Sequence, residues 1–183
     1  MINHLSPINL TAHWTTQIQN EQCSKKIRSW LYDSHSLTQK LEGLYEKFHV
    51  NVRQQREINS TTLSLSNLFD NEKNLLLREV FLCCDNEPVI FAQTELPLST
   101  MAQAQTQFTE LGSQSLGKIL FQDPTIKRGK IEVAQFNPKS QQMLSQSLGL
   151  NYKHPLWARR SFFYIHDKPL LVSELFLPEL GIY

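Results

Sequence analysis

Residues 75–84 read Leu75-Leu-Leu-Arg-Glu-Val-Phe-Leu-Cys-Cys84, followed by Asp85-Asn86 and a second apolar stretch over residues 89–96. Two such runs across an Asp-Asn pair spell an antiparallel hairpin, because Asp and Asn tolerate the positive φ that a tight turn needs. With a period of two, one face of the first strand carries Leu76, Arg78, Val80, Leu82 and Cys84. The other carries Leu77, Glu79, Phe81 and Cys83. Both faces are apolar apart from one charge each, which predicts a strand covered on both sides.

The same pattern recurs outward. Residues 157–166 form a long aromatic run, and residues 170–177 its hairpin partner across His166-Asp167-Lys168-Pro169. Residues 125–136 read as one further strand, and the alternation of Val50 and Val52 within 49–53 as the first. Between them lie helices. Ile27, Trp30 and Leu31 follow Ser24 at helical spacing, and Asp33-Ser34-His35 breaks that helix. Ser36 with Gln39 has the form of a capping box, with Leu37, Leu41 and Leu44 on one apolar face. Pro97 and Ser99 hand over to a helix at 100–111, a short helix begins at Ser115, and residues 59–74 read as loop. The expected fold is α+β, a single domain over 1–183 built on an antiparallel β-sheet with inserted helices.

The chain has 183 residues, 18 Lys+Arg against 17 Asp+Glu, and a formal charge of +1. That balance, with no basic block, argues against nucleic acid or a membrane surface as partner and for a discrete small ligand. Three cysteines, Cys23, Cys83 and Cys84, leave one unpaired in any disulfide scheme, so the expected compartment is reducing. No signal sequence or spanning segment is apparent, and a soluble cytoplasmic protein is expected. The six histidines are scattered without metal-ligand spacing, and the six glycines form no phosphate loop. Neither a metal nor a nucleotide cofactor is expected.

Two charges stand on apolar strand faces. Arg78 is one; Glu174, on the face of Leu170, Val172 and Phe176, is the other. A lone charge there is costly unless it is paired or bonded. One account is an internal ion pair, Arg78 with Glu174 or with a neighbour such as Glu95. The other is a cavity with a cation at one end and a hydrogen-bonding carboxyl at the other, suited to a planar anion bearing a distal hydroxyl. Ser36-Leu37 and Ser115-Leu116 add two predicted helix starts whose first amides have no intrahelical acceptor and attract carboxylates. Arg159 and Arg160 alternate faces on their strand and read as supporting or surface charges.

Several segments together resemble the chorismate pyruvate-lyase family: Leu77-Arg78-Glu79 running into Leu82-Cys83, Glu87-Pro88, Pro97-Leu-Ser-Thr100, Leu116-Gly117, Trp157-Ala-Arg-Arg-Ser161, and Lys168-Pro-Leu-Leu-Val-Ser-Glu-Leu-Phe-Leu-Pro178. The similarity runs in order from about residue 30 to 183 and leaves an N-terminal extension of about thirty residues unmatched. The resemblance implies a cofactor-free lyase that converts chorismate to 4-hydroxybenzoate and pyruvate at the entry to ubiquinone synthesis. It also implies an antiparallel sheet with helical flaps over an internal ligand site. Carried over by position, the family's binding arginine falls on Arg78 and its carboxyl on Glu174, the two catalytic candidates. Its two backbone-amide contacts fall on Leu37 and Leu116. Chorismate and 4-hydroxybenzoate are the implied partners, and a monomer is expected. The competing reading is a non-catalytic sensing domain for an aromatic carboxylate, on a related fold used by transcription regulators. Two further departures from the family are a long stretch at 135–153 and Gln93 where many members have Arg. A tight turn at Asp85-Asn86, counted back along both strands, sets Gln93 opposite Arg78 and predicts that the two share a face.

Overall fold

The computed structural model describes residues 12–19, 23–59, 69, 72–103, 112, 114–136, 146, 148–149, 152 and 154–183. Two helices, α1 (Lys25–Leu31) and α2 (Leu37–Leu44), precede strands β1 (Phe48–Asn59), β2 (Asn74–Cys84) and β3 (Glu87–Pro97). Then come α3 (Leu98–Gln103), α4 (Leu116–Gln122), β4 (Lys127–Arg128), β5 (Glu132–Gln135), β6 (Trp157–Ile165) and β7 (Lys168–Phe176). All strand pairings are antiparallel, in the order β1-β2-β3-β7-β6-β4, with β5 also on β6. The α+β expectation holds.

Both predicted hairpins close through two-residue turns. Asp85 and Asn86 have φ of 49° and 74°, and His166 and Asp167 have 48° and 63°, as a type I′ turn requires. The second turn is two residues shorter than the His166-to-Pro169 connection expected, so β7 begins at Lys168. Three other boundaries also moved. The 49–53 strand extends to Asn59. The strand expected at 125–136 is two pieces, β4 and β5, parted where Gly129 donates to the Phe162 carbonyl at 2.8 Å. The helix expected at 100–111 starts earlier, at Leu98, and residues 104–111 lie outside the described residues. So do most of the 59–74 loop, most of 135–153, and residues 1–11.

As predicted, β2 is covered on both sides: Leu75 and Leu77 are wholly buried on one face, and Leu76, Val80 and Leu82 are buried on the other. The face carrying Arg78 supports two apolar clusters. One joins Ile27, Leu31, Leu37 and Leu41 from the first helices to Val50, Val80, Leu82 and Phe176. The second joins Leu116 and Leu120 of α4 to Leu76, Leu96, Phe163 and Leu170. The α2 stripe is narrower than expected: Leu37, Thr38 and Leu41 are buried, whereas Leu44 is 60% exposed. Among the described residues no helix is long and apolar enough to cross a membrane.

Candidate active site

The gap between those two clusters is a cavity. Its floor is the sheet: Val50 of β1, Arg78, Val80 and Leu82 of β2, Ala92 and Thr94 of β3, Val172 and Glu174 of β7, Arg159 and Phe163 of β6, and Arg128 of β4. Thr38 of α2 and Ser115, Leu116, Gly117, Leu120 and Phe121 around α4 close it from above. The space they bound, mouth included, is about 620 Å³. Its lining, largely apolar with a few converging polar and charged groups, suits a small-molecule ligand.

Arg78 is 4% exposed. Its Nη1 donates to Gln55 Oε1 at 2.7 Å, and its Nη2 to the carbonyls of Gly112 and Gln114 at 2.8 and 3.3 Å. These acceptors are all neutral. Burial lowers its pKa from the usual arginine value, the direction expected of a cation taken out of water. Neither ion pair considered for it forms among the described residues.

Glu174 is paired instead with Arg159, which donates Nε to Glu174 Oε2 at 2.5 Å. Arg159 is the most buried charge here, 1% exposed, and its Nη1 also donates to the carbonyls of Trp30 and Asp33 at 3.1 and 2.7 Å. Of the two roles expected for Arg159, a supporting and a surface charge, the structure shows the first and excludes the second. The signal lay in the hairpin: a two-residue turn at His166-Asp167, counted back, sets Arg159 directly opposite Glu174. Arg160, on the other face, pairs with Glu132 at 2.8 Å and stands 4.5 Å from the Trp14 ring centroid.

Arg128 lines the cavity without having been singled out in the sequence. Its Nε donates to Ser161 Oγ at 3.1 Å and its Nη1 to the Ser34 carbonyl at 3.1 Å. Burial, and next the nearby Arg159 cation, push its pKa down to about 10, with Glu174 and Asp33 opposing. Arg128 and Arg159 thus both hold the α1–α2 connection, which leads into Leu37. Asp33 in that connection accepts from Lys40 at 2.7 Å and from His35 at 3.0 Å. Burial alone would raise the Asp33 pKa, but these hydrogen bonds and the Lys40 charge hold it well below the carboxylate range.

Both predicted helix starts exist. Ser36 Oγ accepts from the Gln39 amide at 3.3 Å, as the capping box requires. Ser115 stands at the N-cap of α4 but makes no side-chain cap bond; its hydroxyl meets Thr38 Oγ1 at 2.6 Å, linking the starts of α2 and α4. Gly117 permits this approach, since a Cβ there would lie 3.0 Å from Thr38 Oγ1. Leu116 lines the cavity; Leu37 is buried beside it, and its neighbour Thr38 contributes to the wall.

Gln93 is not with Arg78. The turn pairs Cys84 with Glu87 as expected, but a bulge between Leu82 and Cys83 leaves Val89 as one extra residue in β3. Arg78 therefore faces Thr94, and Gln93 faces Glu79 on the opposite side of the sheet. A one-residue slip reverses every side chain beyond it.

Known proteins resemble this chain in fold and in sequence. Among solved structures, the effector domain of PhnF from Mycobacterium smegmatis matches 79% of this chain and 90% of its own at a TM-score of 0.54 and 15% identity. A GntR-family transcriptional regulator from Bacillus cereus matches at a TM-score of 0.53 and 12% identity, over 72% of this chain and 92% of its own. These likenesses concern the fold. A protein of Psychromonas ingrahamii named probable chorismate pyruvate-lyase is 47% identical over 98% of this chain and 97% of its own. One of the same name from Pseudoalteromonas translucida is 37% identical over 97% and 98%. The family model described as chorismate lyase matches residues 8–183, so it starts well ahead of residue 30. With that match over nearly the whole chain, the protein belongs to the chorismate lyase family.

Proposed function

We propose that the cavity binds chorismate and converts it to 4-hydroxybenzoate and pyruvate without a cofactor. The observation that carries this reading is Arg78, buried on the cavity floor with only neutral acceptors, two strands from the carboxyl of Glu174. Two strand spacings are about 10 Å along the sheet, room for a substituted six-membered ring between the two groups.

In this reading Arg78 takes the ring carboxylate, assisted by the amides of Leu37 and Leu116. The Glu174 oxygen not engaged by Arg159 accepts a hydrogen bond from the ring hydroxyl. The ether bond to the enolpyruvyl group breaks, and the hydrogen of the adjacent hydroxyl-bearing carbon is lost. The ring becomes aromatic, and a hydrogen ends on the methylene carbon of the departing group, which leaves as pyruvate. Atoms and electrons balance with no added reagent. Aromatisation supplies the driving force, so the protein contributes chiefly by positioning. The product would supply the ring of ubiquinone, in the cytoplasm.

The test is to incubate purified, chelator-treated protein with chorismate and quantify both products. Equimolar 4-hydroxybenzoate and pyruvate are expected. Binding of aromatic carboxylates with no turnover would overturn the lyase reading and leave a sensing domain.

A further inference from the structure

Three guanidinium groups line the cavity, and only one has a carboxylate. Arg159 is matched by Glu174, whereas Arg78 and Arg128 form no ion pair among the described residues. The lining side chains thus carry three positive charges and one negative charge, an excess of two. Retaining unpaired cations in a partly desolvated site costs stability, which makes a ligand with matching charge the natural complement.

Resting on the chorismate reading above, we propose that Arg128 binds the second carboxylate of the substrate, the one on its enolpyruvyl arm, and so distinguishes dianionic chorismate from the monoanionic aromatic product.

The placement supports this. Arg78 is on β2 and Arg128 on β4, at opposite sides of the floor, with Glu174 on β7 between them. With the ring carboxylate on Arg78 and the ring hydroxyl on Glu174, the enolpyruvyl ether, on the carbon next to the hydroxyl, lies toward the Glu174 end. Its carboxylate then falls beyond Glu174, on the side of Arg128. The guanidinium is held in place by its neighbours, with Nε fixed by Ser161 and Nη1 by the Ser34 carbonyl. Nη2 makes no hydrogen bond among the described residues. The group also lies 5.7 and 5.4 Å from the ring centroids of Phe121 and Phe163, which shield it from water and strengthen an ion pair formed there. After the ether bond breaks, the carboxylate on Arg128 belongs to pyruvate, and 4-hydroxybenzoate keeps the contacts of its own carboxylate and hydroxyl with Arg78, the amides of Leu37 and Leu116, and Glu174.

The test compares Arg128→Gln and Arg128→Lys with the unaltered protein. It measures kcat/KM for chorismate and the inhibition constant of 4-hydroxybenzoate, with a thermal melt of each variant. Loss of one charge-assisted pair corresponds to roughly a ten- to hundredfold effect. For Arg128→Gln, kcat/KM should fall by about that factor while the inhibition constant of 4-hydroxybenzoate moves less than threefold; Arg128→Lys should fall less. If Arg128→Gln does not fold, the Lys variant decides by the same split. A parallel change in both constants would mean that Arg128 only holds the α1–α2 connection, and no change in either would remove it from the site; both outcomes overturn the inference while leaving the lyase reading intact. Absence of turnover in the unaltered protein overturns both.

Discussion

Replacing Arg159 with Met tests the internal architecture of the site most severely. The substitution keeps much of the aliphatic volume but removes the cation facing Glu174 and the donor to the carbonyls of Trp30 and Asp33. Breaking a buried ion pair from one side costs about 3–5 kcal/mol, because the remaining charge is left uncompensated. The Glu174 side chain is 16% exposed, toward the cavity, which favours the lower part of that range. The two lost carbonyl bonds act in the opposite sense and raise the total again. An overall loss of about 3–5 kcal/mol is a large share of the ~5–15 kcal/mol that holds a domain together. It corresponds to a fall in Tm of roughly 6–20 °C for a chain of this size. Urea unfolding measures it, provided the slope is unchanged so that the midpoint reports stability. The sharper readout is the cycle with Glu174→Met. If the two side chains compensate each other, the double variant is less destabilised than the sum of the singles by about 1–3 kcal/mol. Additivity within about 0.5 kcal/mol would refute the pairing as an energetic unit.

The other predictions follow from single contacts. Glu174→Gln keeps a hydrogen-bond acceptor of similar shape and is expected to retain more turnover than Glu174→Ala; equal loss in both, with both folded, would make the carboxylate itself obligatory. Ser115→Ala removes the hydroxyl that meets Thr38. About 1 kcal/mol should be lost, and hydrogen exchange should quicken at the amides of α2 and α4; unchanged exchange there would show that the bond does not hold the two helices together. Gln93→Arg puts a longer cation at a fully buried position on the far face of the sheet. It should lower Tm and leave 4-hydroxybenzoate affinity unchanged at low salt, whereas tighter, salt-sensitive binding would place that residue at the cavity after all.

What was legible in the sequence was local and periodic. The double-sided apolar pattern of residues 75–84, the Asp85-Asn86 turn and the Ser36 cap each rest on a few neighbouring residues, and the structure bears them out; the second hairpin is also present, with a turn two residues shorter than the His166-to-Pro169 connection expected. Which neighbours Arg78 and Glu174 each share within their own strands followed from counting by twos; that the two faces coincide is seen only in the structure. Counting across strands was less secure. Val89 is an ordinary β residue, and nothing in its identity marks it as the extra one, yet it turns Gln93 to the other side of the sheet. Arg159 was recoverable, because its partnership with Glu174 follows from the shorter hairpin turn. Arg128 was not, since its strand is two residues long and its role comes from β6, Phe121 and the α1–α2 connection meeting around it. The Ser115 hydroxyl likewise left its expected capping role for a partner 77 residues away in the chain.

The proposed activity is the conversion of chorismate to 4-hydroxybenzoate and pyruvate in a cavity anchored by Arg78. Product formation by the purified protein, side by side with Arg78→Ala and Arg78→Lys, tests it most directly. Equimolar products are expected from the unaltered protein, with loss of most turnover in the Ala variant and partial recovery with Lys, which restores a point charge but not the planar fork. Near-unaltered turnover in a folded Arg78→Ala protein would contradict the role of Arg78, and an unaltered protein that makes no 4-hydroxybenzoate would contradict the claim as a whole.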